Sequence, residues 1–394
     1  MIDLQDITKK RWYMGKGRTP SRIEQIDELS INGTAISIVS IQFPEGDTDL
    51  YLVIKNENDF GPLLYRSFGK NVGSKSFRSR NGIFSFVTHN DFLRNDLESL
   101  KPISAEQSNS SFAAPEKLFF KVFRRLQAGA HPEEETLRYL SEQGYQGTPS
   151  LLGSCHYTSN DGNTYVLGIL ESLIPNTENA WDVFNREPSA ELAFELGCET
   201  ARMHKALREM DGCTSPSEEP PVEKLKKLLA EGRCPAPSAS LRTGATGHDI
   251  SNIQVPHPSQ SAIFKPQRIH GDFHLGQVLV TPDKHFKIID FEGEPTRTLD
   301  FRRGLRSPAV DIAGMIRSFA YAEAVSKKDM SGVRQAFIQG YAKTANIPEG
   351  SLQQELKPYI VAKAIYEACY ELEFRPDWFW IPEKALEEFA NPGE

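Results

Sequence analysis

Arg268–Pro295 reads RIHGDFHLGQVLVTPDKHFKIIDFEGEP. Asp272 lies in a glycine-containing turn, Gln277 follows five residues later, and the apolar pair Val278 and Leu279 comes next. The turn signal TPDKH then separates that pair from KIIDF, a short strand ending at Asp290. The pattern predicts strand, loop, strand, turn, strand, with one carboxylate in the loop and one at a strand end. Phosphoryl transfer asks for this set. Its transition state is loose, so the protein mainly positions groups and neutralises charge. One carboxylate receives the attacking hydroxyl, and a second carboxylate with an amide holds Mg2+ on the phosphates. Kinase catalytic loops write the set as H-R-D-x-x-x-x-N followed by D-F-G. Here it reads His270-Gly271-Asp272, four residues, Gln277, then Asp290-Phe291-Glu292.

A kinase also needs a cation on the phosphates. Lys121 sits in the alternating stretch LFFKVF, and a helix begins about ten residues later with Glu133, Glu134 and Glu135. A strand lysine paired with a helix glutamate is the expected arrangement. Upstream, Ser108, Asn109 and Ser110 can offer backbone N–H and hydroxyl groups to phosphates. Asp311, in SPAVDIAGM, either caps a helix or bonds the catalytic-loop backbone.

Outward from this core, residues 4–55 read as a β-rich unit, with ISIVSIQF and LYLVIK as strands. Residues 60–75, rich in Gly, Ser and Lys, read as loop, and IFSFVT as a further strand. Residues 102–175 read as a small mixed sheet with one helix over HPEEETLRYLSEQG. AELAFELGCETARMHKALREM is helical, the Pro/Ser-rich stretch after it is an exposed connection with one short amphipathic helix, and three helical stretches follow Pro295. The expected architecture is α+β: a two-lobed, protein-kinase-like fold. It divides into a β-rich N-terminal cap (1–100), a nucleotide-binding sheet (101–175) and a mainly helical C-terminal lobe (176–394), with ATP between the lobes.

Composition sets the outer limits. The 394 residues carry a net charge of −8, a poor match for nucleic acid, whose phosphates demand excess Lys and Arg. Five scattered cysteines form no CxxC pair and fit a reducing cytoplasm. Neither a signal-like N-terminal apolar stretch nor an apolar run near membrane length is present, so the expectation is a cytoplasmic protein with no membrane contact.

HGDFHLGQVL, IIDFEGEP and DIAGMIRSF resemble the maltokinases, within the aminoglycoside-phosphotransferase-like kinases. RWYMGKGR at 11–18 is similar to that family's cap motif and EQSNSSF to its phosphate loop. KVFRRLQAGAHPEEETLRYL is similar to its lysine strand and helix, and KAIYEACYELEFRPDWFWIP to its C-terminal helix. The resemblance implies Asp272 as base and Gln277 and Asp290 as Mg2+ ligands, with Glu292 nearby. It implies Lys121 on the α/β-phosphates and paired with Glu135, and Glu171 and Leu173 at the adenine hinge. His270, Tyr370, Arg375 and Trp378 are then the acceptor-side residues. The implied reaction transfers the γ-phosphoryl of ATP to the anomeric hydroxyl of maltose, giving maltose 1-phosphate for α-glucan synthesis, with a separate trehalose synthase as a partner. The chain departs from the family at Asn179-Ala180-Trp181, at Phe374 before Arg375-Pro376, and at Ala362 before Lys363. Phe374 and Ala362 bear on the acceptor. An amino-sugar kinase such as a glucosamine kinase shares the core, and Glu367, Glu371 and Glu373 suit an amine. The alternative of another class is a pseudokinase that binds nucleotide or sugar without turnover.

Overall fold

A computed structural model describes residues 4–10, 12–103, 109–115, 117–214, 220–231, 263–295 and 297–390. Arg11 of the cap motif, residues 106–108 of the phosphate loop and most of the Pro/Ser-rich connection lie outside the described residues. The chain divides into two compact units, Met1–Asn176 and Thr177–Glu394.

The first unit opens with β1 (Arg22–Ile31), β2 (Thr34–Gln42) and β3 (Thr48–Ile54). Eight of the nine β2 residues are buried, because both faces of the strand are covered. Ile36 and Ile38 face one core with Leu52 and Ile54. Val39 and Ile41 face another with Tyr13, Tyr51 and Val53. Side chains alternate along a strand, so one apolar run serves both cores. The cap motif supplies Tyr13 to the second core.

Next come α1 (Phe60–Ser67), β4 (Gly73–Arg78) and β5 (Gly82–Thr88). The loop expected over 60–75 is therefore a helix in its first half. Phe60, Leu63 and Leu64 recur at helical spacing and are all buried. The Gly- and Ser-rich composition of the second half masked them. There follow β6 (Lys101–Pro102), β7 (Ser110–Ala114), β8 (Leu118–Val122), β9 (Arg125–Leu126), α2 (Pro132–Glu142), β10 (Leu151–Ser159) and β11 (Thr164–Ser172). One seven-stranded sheet runs β4-β5-β10-β11-β8-β7-β6. Its pairings are all antiparallel, where a mixed sheet was expected. It crosses the boundary expected at residue 100, because β5 pairs along β10.

The second unit contains β12 (Glu178–Asn179), α3 (Ala180–Arg186), α4 (Ala190–Leu207) and α5 (Val222–Ala230). Then come β13 (Val278–Val280), β14 (Phe286–Ile288), α6 (Leu299–Arg302), α7 (Ala309–Ser326), α8 (Ser331–Ala345), α9 (Glu349–Phe374) and α10 (Trp380–Ala390). Among the described residues it is mainly helical, with one three-stranded sheet ordered β12-β13-β14. Among the described residues, no helix is long and apolar enough to cross a membrane.

Candidate active site

The β13–β14 hairpin sets the spacing of the decisive stretch. Val278 lies opposite Ile288, and the Ile289 N–H donates to the Gln277 carbonyl at 3.0 Å. Gln277 and Asp290 therefore emerge together at one end of the ladder. Gln277 Nε2 donates to Asp290 Oδ2 at 2.7 Å. Asp290 holds φ +68°, a left-handed conformation that Asp tolerates better than most residues. Gln277 ends a short 3-10 turn over Leu275–Gln277, capped by His274 Nδ1, which accepts from the Gly276 N–H at 3.0 Å. Burial lowers the His274 pKa, against the opposing pull of Asp272. Asn179, one of the departures, serves both neighbours: its Oδ1 caps α3 through the Trp181 N–H, and its Nδ2 donates to the Gly276 carbonyl at 2.9 Å.

The turn carrying Asp272 is fastened from three helices. Gly271 has φ +86°, a conformation that strains any side chain, and a Cβ there would also displace the Arg306 guanidinium, 2.5 Å away at Nη2. Asp311, in the first turn of α7, accepts from the His270 N–H at 2.8 Å and the Gly271 N–H at 2.9 Å. His204 of α4 bonds the Asp311 carboxylate through Nε2 at 3.0 Å and the Tyr341 hydroxyl of α8 through Nδ1 at 2.9 Å. Burial pushes the Asp311 carboxyl up, but the His204 bond, the nearby histidine charges and the Gly271 amide outweigh it and hold it below the usual range. Of the two readings of Asp311, the backbone-bonding one is the one observed.

Several residues stand elsewhere than expected. His270, expected on the acceptor side, is 1% exposed, its Nε2–H donates to the Ile289 carbonyl at 2.9 Å, and its Nδ1 receives the Asp272 N–H at 3.4 Å. Glu292 faces the buried Arg302, 3.8 Å from Nη1, so its charge is already balanced within the protein. Lys121 bonds Glu133 at 2.8 Å, two residues before the Glu135 that the resemblance pairs with it. Glu133 is fully buried. The Ser110 oxygen accepts from Arg124 Nε at 2.8 Å. Glu171 is buried in β11, and the Leu173 N–H donates to the Lys117 carbonyl at 3.0 Å, so it is not an idle hinge donor. Asn109 falls within the described residues and Ser108 outside them.

Tyr370 of α9 meets Arg375 and Trp378, which lie just past the helix end: the Arg375 guanidinium lies 5.2 Å from each ring, and Trp378 stacks on Tyr321. Three side chains not anticipated lie around Asp272. Lys363 reaches Glu294 at 3.7 Å. Burial works against the Lys363 charge, and Glu294, Asp272 and Glu367 outweigh it. Burial raises the Glu294 pKa, opposed by Lys363. Arg306 is depressed by burial despite its neighbours Asp311, Glu294 and Asp272. The repeat Lys363, Glu367, Glu371 at intervals of four was the available signal, since it puts all three on one face of the helix. Glu367 bonds Arg317 at 2.8 Å, Glu371 bonds Arg375 at 2.7 Å and Tyr321 at 2.8 Å, and Glu373 bonds Lys224 at 2.8 Å.

Gln277 and Asp290 supply one amide and one carboxylate, a donor set that magnesium takes beside phosphate oxygens. Among the described residues, no group of three or more His, Cys, Asp and Glu is arranged to hold a metal.

Comparison with known proteins bears on the family and the fold. The chain is 21% identical over 326 residues to a glucosamine kinase of Mycolicibacterium smegmatis, covering 74% of this chain and 80% of that protein. It is 24% identical over 317 residues to a glucosamine kinase of Streptacidiphilus jiangxiensis, covering 72% of each. A solved glucosamine kinase structure superposes with a TM-score of 0.66 at 17% identity over 99% of both chains. That likeness carries the expected kinase-like α+β fold with its helical C-terminal portion. The model of the APH phosphotransferase enzyme family matches residues 99–342, more than half of the sequence, and the chain belongs to that family.

Proposed function

We propose that this protein transfers the γ-phosphoryl group of ATP to a hydroxyl of an amino sugar of the glucosamine class. The observation that carries the reading is the α9 face on which Glu367 and Glu371 continue from Lys363, the lysine set against Asp272. Glu367 and Glu371 are held by Arg317 and Arg375, and the buried Glu371 Oε2, which has no hydrogen-bond partner among the described residues, is the acceptor that suits a sugar ammonium, while the rings of Tyr321, Tyr370 and Trp378 suit the sugar itself. Both curated relatives described above are glucosamine kinases, which supports an amino-sugar acceptor over maltose.

In the proposed mechanism Asp272 accepts the proton of the attacking hydroxyl. Asp311 holds the turn so that this carboxylate keeps its direction, and Lys363 and Arg306 balance the acids around it. Lys121, fixed by Glu133, carries the α/β-phosphates. Gln277 and Asp290 would hold Mg2+, which neutralises charge on the transferring phosphate when bound.

Maltose remains a second reading, favoured by the Arg375–Trp378–Tyr321 stack, a flat surface of the kind a sugar ring packs on. An ADP-release assay with Mg2+, ATP and equal concentrations of glucosamine, N-acetylglucosamine, glucose and maltose separates them. Glucosamine is expected to give the highest kcat/KM, and loss of the free amine in N-acetylglucosamine to reduce it. A higher kcat/KM on maltose would overturn the amino-sugar assignment.

A further inference from the structure

Helix α2 begins His131-Pro132-Glu133-Glu134, and all four residues are buried. Adjacent helical residues point roughly 100° apart, so the two glutamates reach different strands. Glu133 grips Lys121 on β8 at 2.8 Å. Glu134 turns to β10, where His156 Nε2 bonds its two oxygens at 3.0 and 3.1 Å. His89, just past β5, stands 3.8 Å from the same carboxylate. His89 also bonds the Ser154 hydroxyl at 2.8 Å. Burial pushes the Glu134 carboxyl up, and the His156 bonds with the nearby His89 and Ser154 prevail and hold it far below the usual range.

In the sheet, β10 and β8 are separated by β11. The two attachments of α2 are thus two strand spacings apart, about 9–10 Å. A helix fixed at one point can still pivot, whereas two points this far apart set its rotation. The Lys–Glu pair of a kinase has to be in place for phosphoryl transfer, and helix position controls it.

We infer that Glu134, clasped by His156 and His89, is a positioning residue that holds Glu133 on Lys121 and so readies the lysine for nucleotide phosphates. This rests on the proposed reading of Lys121 as the phosphate-binding cation. The test measures the affinity of a fluorescent ADP analogue and the KM of both substrates for Glu134→Ala, His156→Gln, His156→Leu, Lys121→Met and the double variant Lys121→Met/Glu134→Ala, with thermal melts in parallel. Removing one partner of a buried charged bond is expected to weaken ADP binding about tenfold in Glu134→Ala, with acceptor KM held within about twofold. His156→Leu should follow it, and His156→Gln, whose amide can still donate to Glu134, should stay near wild type. On the Lys121→Met background, Glu134→Ala should add nothing further, since positioning a missing lysine has no effect.

The inference is overturned by unchanged ADP affinity in Glu134→Ala, by an equal loss for both substrates, or by an undiminished effect on the Lys121→Met background. Should Glu134→Ala fail to fold, the two His156 variants carry the same comparison. Normal ADP binding by Lys121→Met would instead remove the underlying reading of Lys121.

Discussion

Asp311→Asn tests how far the catalytic turn depends on one buried carboxylate. Asp311 receives the His270 amide and the His204 imidazole on Oδ2, and the Gly271 amide on Oδ1. Asparagine has one oxygen. Turned one way, its NH2 faces two donors; turned the other way, it faces only the Gly271 N–H. The second orientation is the less costly. It loses one bond to a charged acceptor, weakens the other two and sets its NH2 against one donor, for a combined destabilisation of about 2–4 kcal/mol. For a unit of this size that lowers the melting temperature by roughly 5–15 °C. Three of the four tryptophans, Trp181, Trp378 and Trp380, belong to the second unit and Trp12 to the first, so the transition is followed by tryptophan fluorescence in a Trp12→Phe background. The Gly271 amide it abandons immediately precedes Asp272, so kcat should fall more than acceptor KM rises. A variant within about 0.5 kcal/mol of wild type with unchanged kcat would refute this account of the turn, since surface-like tolerance is inconsistent with a buried network.

Other consequences can be checked more quickly. Glu133→Gln should raise the KM for ATP several-fold, as read in steady-state kinetics. Leu63→Ala, in the helix not anticipated from composition, should cost about 2–5 kcal/mol of stability by denaturant titration, because the side chain is fully buried. The Glu134 carboxyl is depressed in the folded state, so its contribution is complete above the unfolded value near pH ~4.3 and is lost as pH falls through the folded value. Acid titration of stability should therefore be shallower in Glu134→Gln than in wild type. Gln277→Ala should raise the Mg2+ concentration needed for half-maximal turnover, and chelation by EDTA should stop turnover in both proteins.

The sequence made the reaction legible more readily than the wiring around it. The intervals between Asp272, Gln277 and Asp290 survive translation into structure because a hairpin of fixed register connects the last two. Helix phase is harder to read. Which glutamates of α2 meet Lys121 depends on which side of the helix packs on the sheet, and only tertiary packing decides that. His270 and Glu292 misled for a related reason. A histidine and an acid beside catalytic residues look reactive until Ile289 and Arg302 are seen to occupy them. Lys363 was hidden by distance, lying more than ninety residues after Asp272. The Gly- and Ser-rich end of 60–75 concealed three core residues at helical spacing.

The central claim is that Asp272 serves phosphoryl transfer to an amino sugar, and product identification tests it most directly. Wild-type protein and Asp272→Asn are incubated with ATP, Mg2+ and glucosamine, and the sugar is analysed by mass spectrometry and phosphorus NMR. The account predicts a glucosamine phosphate from wild type, and from Asp272→Asn a yield lower by a factor of roughly 10²–10⁴, the usual worth of a general base. No phosphorylated glucosamine from wild type, or an equal yield from the variant, would contradict it.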